Sequence, residues 1–111
     1  AFLSADCDHC RAAVKVLNEV AADPVSPQIV GIVLGDEAKY AAFETETFPL
    51  FPTARTDEAV RFSLLSGCAA PPAFHHVRDG VSVQSTCAQD PVLADLTALY
   101  TEGGPQEAND Q

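Results

Sequence analysis

The chain has 111 residues, six of them basic and sixteen acidic, so its formal net charge is −10 at pH 7. This length fits one domain and leaves no room for two independent hydrophobic cores. The negative charge opposes binding to a nucleic-acid backbone or an anionic membrane surface, and no apolar run approaches the ~20 residues that cross a bilayer. We therefore expect one acidic domain over residues 1–102 and a polar tail over residues 103–111.

The first five residues, AFLSA, lack an initiating Met and a basic region, so they do not form a signal peptide. They resemble a strand entered partway along. We expect the chain to be a mature or excised portion of a longer protein. A membrane tether or a fused membrane domain upstream is compatible with this start.

The first half of the chain predicts two strand-helix units and a broken strand. Residues 2–3 form a short apolar strand, and a helix follows from close to Cys7 to before Pro24, because apolar residues recur there at three- and four-residue steps. Its apolar residues are Ala13, Val14, Val16, Leu17, Val20 and Ala21. The apolar run at 29–34 is typical of a strand covered on both faces.

The middle of the chain predicts two more helices. A helix over 36–45, which Asp36 is expected to cap, is followed by an extended piece at 48–52 that prolines interrupt. The apolar side of that helix is predicted to be Ala38, Ala41, Ala42 and Phe43. Thr56 or Asp57 is expected to cap the third helix, and Gly67 is expected to end it in the left-handed conformation. Its inward side is predicted to be Ala59, Val60, Phe62, Ser63 and Leu64.

The last third predicts a hairpin and a closing helix. Strands at 73–77 and 81–85 are joined through Asp79-Gly80, which is a strong hairpin signal. A final helix begins at Asp90-Pro91. Its buried stripe is predicted to be Val92, Leu93, Leu96, Leu99 and Tyr100. This order of elements predicts an α/β fold with a mixed central sheet.

The motif Cys7-Asp8-His9-Cys10 lies where a strand gives way to a helix. At such a position the free amides and the positive end of the helix dipole stabilise a thiolate, which is the form that attacks a disulfide. The two-residue gap lets Cys10 reach the sulfur of Cys7 and resolve a mixed disulfide formed with a substrate. The motif therefore predicts thiol-disulfide exchange, with Cys7 as the nucleophile and Cys10 as the resolving thiol. We expect Cys7 to be the more exposed and more acidic of the two, because Cys10 lies one turn into the helix and should be shielded.

Two other uses of this motif stay open. Structural zinc needs a second ligand pair at suitable spacing, and the chain has no second C-x-x-C, so we expect no metal and no other cofactor. A module that binds copper or another soft metal could nevertheless be built from Cys7, Cys10 and a histidine. The other alternative is a redox-inert interaction domain fused to a membrane partner.

The chain resembles the thioredoxin superfamily, and within it the TlpA/ResA-like extracytoplasmic branch. The resemblance covers nearly the whole chain and rests on FLSADCDHCR at 2–11 and PAFHHVRDG at 72–80, which resemble the active-site strand and the proline, strand and turn of the family. It implies a thioredoxin-like fold with helices on both faces of the mixed sheet and with the family's N-terminal strand missing. It also implies a monomer that acts on protein thiols and disulfides together with a redox partner protein.

The resemblance gives Pro72 a role, because the family's proline is cis and lies against the cysteine pair. It implies that Pro72 shapes the substrate groove, with Pro71 as the competing candidate. The chain departs from the family at positions that usually carry acidic or aromatic side chains: the two acids fall at Ala1 and Ala13, and the aromatic falls at Asp6. Neither carboxylate is available to accept the proton of the resolving cysteine.

The three histidines are the other candidates. A protonated His9 would favour the thiolate and hence the reduced form, whereas Asp6 and Asp8 act in the opposite direction. DsbA-like proteins also carry His before the second cysteine, and this resemblance favours an oxidant or isomerase. We expect His75 and His76 to be packed and hydrogen-bonded on the two faces of their strand. Alternatively, one of them could accept the resolving cysteine's proton or join the cysteines as a metal ligand.

Cys68 and Cys87 flank the predicted hairpin, so they are candidates for a structural disulfide. Such a bridge would persist only in an oxidising compartment, and a distance above ~7 Å between the two α-carbons would exclude it without backbone movement. Four cysteines and the TlpA-like pattern both favour the periplasm or the extracytoplasmic face of a membrane. The alternative is a pair of buried thiols that act as small hydrophobic residues.

Overall fold

The computed structural model describes residues 1–87 together with Pro91, Leu96 and Leu99. Residues 1–87 form a small α/β fold, as the order of sequence patterns predicts. Its elements are β1 (Phe2–Ser4), α1 (Asp8–Ala21), β2 (Gly31–Leu34), α2 (Glu37–Thr47), β3 (Thr53–Thr56), α3 (Ala59–Ser66), β4 (Phe74–Arg78) and β5 (Val81–Thr86). Among the described residues, no helix has the length and apolar character needed to cross a bilayer.

The strands form two sheets that meet at one point. Strands β1, β2 and β3 are parallel, with β2 in the middle, and β4 and β5 form an antiparallel hairpin. Phe2 and Ala73 join the two sheets through reciprocal N–H···O bonds of 2.7 and 3.0 Å. The predicted mixed sheet is thus interrupted. The reason is that Pro71 and Pro72, which would continue the ladder beyond Ala73, have no N–H to donate.

The hydrophobic core lies on one face of the parallel sheet. Its buried members include the α1 residues Ala13, Val14, Leu17 and Val20, together with Leu3, Val33, Phe43, Phe74, Leu96 and Leu99. The other face carries Phe2, because adjacent strand residues point in opposite directions. The Phe2 ring meets the Phe62 ring of α3 edge-on at 5.5 Å. Helices therefore pack on both faces, as expected.

Three local predictions about caps and turns are confirmed. The Asp36 carboxylate accepts the N–H of Lys39 at 2.8 Å and caps α2. Gly67 follows α3 with φ of 71°, in the left-handed region that glycine adopts without a steric penalty. Asp79 and Gly80 both have positive φ, 54° and 80°, and connect β4 to β5 in a two-residue turn.

The third strand and the start of the third helix differ from their predictions. The piece at 48–52 is not a strand, and β3 begins directly after it. Pro49 and Pro52 have no N–H for a ladder, although the Pro52 carbonyl still accepts the N–H of Gly31 at 2.9 Å. The residue that caps α3 is Glu58 rather than Thr56 or Asp57, and it makes no side-chain bond to the helix.

The predicted inward faces of α2 and α3 are confirmed only at Phe43 and Phe62. In α2 only Phe43 is buried, and Ala38, Ala41 and Ala42 are exposed. In α3 the buried residues are Phe62 and Ser66, whereas Ala59, Val60, Ser63 and Leu64 are exposed. Both helices are short and carry apolar side chains on several sides, so the sequence pattern does not define a single face.

The closing helix lies largely outside the described residues. Leu96 and Leu99 are helical and buried, as predicted. Pro91 is also buried. The predictions for Val92, Leu93 and Tyr100, and the polar tail over 103–111, fall on residues that the structure does not describe.

Candidate active site at the start of helix α1

Cys7 is the residue that caps α1. Its backbone is extended, with φ of −109° and ψ of 118°, and its sulfur accepts the N–H of Cys10 at 3.2 Å. The turn from β1 into the helix is closed by the Cys7 N–H, which donates to the Ser4 carbonyl at 3.2 Å. Sulfur thus occupies the place where an N-cap oxygen usually accepts a helix amide. At this end of a helix the free amides and the helix dipole both present positive charge.

Cys10 lies one turn further along and is fully buried in the core, whereas Cys7 is partly exposed. The expected order of exposure is therefore confirmed. Burial is the main cause that raises the pKa of the Cys10 thiol, and a hydrogen bond with the Cys7 side chain raises it further. The Ser4 N–H, which donates to the Cys10 sulfur at 3.3 Å, acts in the opposite direction. Cys10 is consequently a protonated thiol at neutral pH.

The proline segment lies directly against Cys7, although it is distant in sequence. The Cys7 thiol donates to the Pro71 carbonyl at 3.7 Å. The peptide bond between Pro71 and Pro72 is cis, and Pro72 is buried. Pro71 thus presents its carbonyl to the Cys7 sulfur, and Pro72 follows it as a buried residue.

Helix α2 contacts the cysteine turn through two ion pairs that the sequence analysis missed. The Lys39 ammonium donates to the Asp6 carboxylate at 2.9 Å, just before Cys7. The Arg11 guanidinium, just after Cys10, donates to Glu46 at 3.0 Å. The sequence contains a signal for Arg11, because Asp8 lies three residues before it and residues three apart are neighbours on a helix. No such signal points to Lys39 or Glu46, the partners that α2 supplies.

The three histidines lie in different surroundings. His9 is exposed in the first turn of α1, so its predicted influence on the cysteines stays a prediction. His75 bonds through both ring nitrogens, at 2.7 Å to the Ser82 hydroxyl and at 2.8 Å to the Ser66 carbonyl. His76 Nδ1 lies 2.9 Å from the Leu99 carbonyl. The expectation that both strand histidines are hydrogen-bonded is confirmed, and both nitrogens of His75 are engaged away from the cysteines.

Cys68 and Cys87 form a disulfide, with their α-carbons 5.7 Å apart. The predicted bridge is therefore present, well inside the limit that would have excluded it. Cys68 is partly exposed and lies three residues before Pro71, whereas Cys87 is exposed at the end of β5. The bridge links the proline segment to the hairpin. Cys7 and Cys10, by contrast, are free thiols.

Within the part of the chain that the structure describes, no three His, Cys, Asp or Glu side chains converge as metal ligands.

Comparisons with family models, curated proteins and solved structures find no match to this chain. The site must therefore be interpreted from its own geometry. That geometry pairs an accessible thiol at a helix N-terminus with a shielded thiol one turn away.

Proposed function

We propose that this chain is a thioredoxin-like thiol-disulfide oxidoreductase that exchanges disulfides with protein thiols through Cys7 and Cys10. One observation carries the proposal: the partly exposed Cys7 sulfur accepts the Cys10 N–H at 3.2 Å, while the Cys10 sulfur is fully buried. Reactive cysteines are partly exposed and lie in electropositive surroundings. The two thiols are therefore suited to different steps. The exposed Cys7 thiol is suited to forming a mixed disulfide with a substrate, and the buried Cys10 thiol is suited to resolving it.

In the reducing direction, the Cys7 thiolate attacks one sulfur of a substrate disulfide. The substrate S–S bond breaks, a Cys7–substrate disulfide forms, and the departing substrate thiolate takes a proton from water. Cys10 then attacks the sulfur of Cys7, and its proton leaves with the second substrate thiol. The substrate gains two electrons, and the protein is left with a Cys7–Cys10 disulfide. A redox partner protein restores the dithiol, and the oxidising direction runs through the same steps in reverse.

The surroundings of Cys7 support this division of roles. Free helix amides stabilise the thiolate of Cys7 before attack. The Pro71 carbonyl lies 3.7 Å from the sulfur, and we propose that an extended substrate segment binds beside this proline segment. Because burial raises the pKa of Cys10, that thiol keeps its proton until the mixed disulfide has formed. The shielded cysteine thus resolves rather than initiates the exchange.

The topology supports the thioredoxin-like interpretation. The cysteine helix follows β1, the strand that pairs with β2 on one side and meets the hairpin segment through Phe2 and Ala73 on the other. The proline segment immediately precedes that hairpin and reaches the cysteine helix. These are the placements that the resemblance implied for the two quoted segments.

The Cys68–Cys87 bridge supports a location in an oxidising compartment, because such bonds are rare where glutathione and thioredoxin keep thiols reduced. We therefore place the proposed activity in the periplasm or at the extracytoplasmic face of a membrane. The substrates would be folded or folding secreted proteins. The redox partner would be a protein of the same compartment, with the chain acting as a monomer.

The test measures reduction of insulin disulfides and the reduction potential of the Cys7–Cys10 pair in glutathione buffers. Wild-type protein should show a reversible two-electron couple and catalytic turnover, and Cys7→Ser should reduce turnover to the uncatalysed rate. The matched control is the double variant Cys68→Ala and Cys87→Ala, which should keep measurable turnover. Turnover that survives Cys7→Ser would contradict the proposal. So would stoichiometric copper binding without turnover, which would support a metal-binding module instead.

A further inference from the structure

Arg11 follows Cys10 directly, and its guanidinium is bonded on three sides. Nη2 donates to the Ala5 carbonyl at 2.9 Å, Nε donates to Glu46 at 3.0 Å, and Nη1 donates to Asp8 at 3.2 Å. Only 34% of the Arg11 side chain is exposed, so the group is held between the cysteine turn and α2 rather than projecting into solvent. A planar guanidinium is suited to such fixed, many-sided contacts, which a lysine ammonium does not reproduce.

The Arg11 contact to Ala5 connects the guanidinium to the backbone that surrounds the cysteine sulfurs. Ala5 is buried, and its N–H donates to the Leu34 carbonyl at 2.9 Å, so it continues the pairing of β1 with β2. The residue before it, Ser4, donates its N–H to the Cys10 sulfur at 3.3 Å. The positive charge of Arg11 is therefore fixed beside the same turn that holds the resolving thiol.

We propose that Arg11 is a positioning residue whose fixed charge sets the redox equilibrium of the Cys7–Cys10 pair, and that Glu46 limits its effect. The inference rests on the proposed function and deepens it, because it names the residues that determine the direction of electron flow. A nearby positive charge stabilises a thiolate but not a neutral disulfide, so it favours the reduced form and makes the pair a stronger oxidant. The Glu46 carboxylate cancels part of that field.

The charge acts on the thiolate that Cys7 uses in the proposed exchange, because the buried Cys10 keeps its proton at neutral pH. The guanidinium donates to the backbone carbonyl two residues before Cys7 and to Asp8 directly after it, and the Arg11 N–H donates to the Cys7 carbonyl at 3.1 Å. The side chain of Asp8 is 99% exposed and that of Glu46 is 57% exposed, so water screens the charge of Asp8 more than that of Glu46.

The test uses two variants that break the same ion pair but leave opposite charges behind. Arg11→Gln leaves Glu46 without this cation, and Glu46→Gln leaves Arg11 paired only with the exposed Asp8. The equilibrium measured is protein dithiol plus oxidised glutathione against protein disulfide plus two reduced glutathiones, in which one S–S bond breaks and one forms. Arg11→Gln should raise this equilibrium constant by about threefold to tenfold, or about 14 to 30 mV towards more reducing potentials. Glu46→Gln should lower it.

Opposite shifts of the equilibrium constant in the two variants indicate an electrostatic role, because loss of a purely structural contact would change the constant of both variants in the same direction. Arg11→Lys keeps the charge and should stay within about twofold of wild type. The control pair is Arg61 and Glu58 of α3, 3.9 Å apart, whose Gln variants should leave the constant unchanged.

The outcomes separate this inference from the proposed function. Equal constants in wild type, Arg11→Gln and Glu46→Gln, with insulin turnover intact, would overturn the role of Arg11 alone. Shifts of the same sign in both variants would also overturn it. Opposite shifts without turnover in any variant would support the role of Arg11 and contradict the oxidoreductase activity.

Discussion

The two cysteine pairs of this protein differ in sequence separation, burial and chemical state. Cys7 and Cys10 lie within one helical turn as free thiols, one partly exposed and the other buried. Cys68 and Cys87 lie 19 residues apart and are bonded across the ends of the hairpin segment. The sequence separation within each pair does not by itself explain why the first pair is free and the second pair is bonded.

What separates the pairs is the backbone that carries them. The first pair sits on a helix N-terminus, where amides favour a thiolate and where only one sulfur reaches solvent. The second pair joins a loop to a strand end, so its bond restricts the unfolded chain and fastens the proline segment to the hairpin. In the proposed function the first pair exchanges disulfides and the second pair stabilises the fold, and each of the following experiments tests that division.

The largest expected effect is on substrate trapping. Cys10→Ser should form a persistent mixed disulfide with substrates that carry a disulfide, because Cys7 opens the substrate bond and the resolving thiol is missing, and its insulin turnover should fall to the uncatalysed rate. Cys7→Ser should form no such adduct. Non-reducing gels with mass spectrometry identify the linked cysteine. An adduct on Cys10 in the Cys7→Ser protein would contradict the assigned roles.

The bridged pair should affect stability rather than chemistry. Replacing Cys68 and Cys87 together by Ala should lower the free energy of unfolding by about 3 kcal/mol, because the unfolded chain regains the entropy of the closed loop. Urea denaturation followed by circular dichroism measures this change, with Cys7→Ala as the control for loss of an unbridged cysteine. An unchanged unfolding midpoint would show that the bridge does not contribute to stability, and complete loss of turnover in a folded double variant would contradict the division between the pairs.

Within the first pair, alkylation rates should separate the two thiols. Iodoacetamide at neutral pH should label Cys7 first, because Cys10 is buried and its pKa is raised. Each unit of pKa elevation lowers the thiolate fraction about tenfold, so Cys10 should react at less than about one-tenth of the rate of a free cysteine. Labelling of Cys10 should increase only at strongly alkaline pH. Peptide mapping after timed quenching measures both rates, and prior labelling of Cys10 would reverse the assignment.

His9 should have the smallest effect. His9→Gln removes an exposed imidazole beside the cysteines, whose protonated form favours the thiolate. The reduction potential should become slightly more negative, by less than about threefold in the equilibrium constant with glutathione. His9→Lys keeps a positive charge at this position and should not lower the potential, so an equal fall in both variants would show that the effect of His9 does not depend on its charge.

Several local features followed from the sequence because neighbouring residues determine them. The strand-to-helix change at Cys7, the Asp36 cap, the end of α3 at Gly67 and the Asp79-Gly80 turn each depend on a few adjacent backbone and side-chain groups. The buried stripe of α1 was also predictable, since a helix of 14 residues repeats its pattern often enough to define one face.

Other features were decided only by tertiary structure. Helix α3 has eight residues and apolar side chains all round, and the partner ring of Phe2 determined that Phe62 is the one that faces inward. The Pro71 carbonyl is 64 residues from the sulfur it meets, and Glu46 is 35 residues from Arg11. Sequence alone therefore determined which residues could perform thiol chemistry and where the chain begins each helix. The folded chain determined which charges and carbonyls surround those thiols, because Coulomb and hydrogen-bond energies depend on distances in space rather than on positions along the chain.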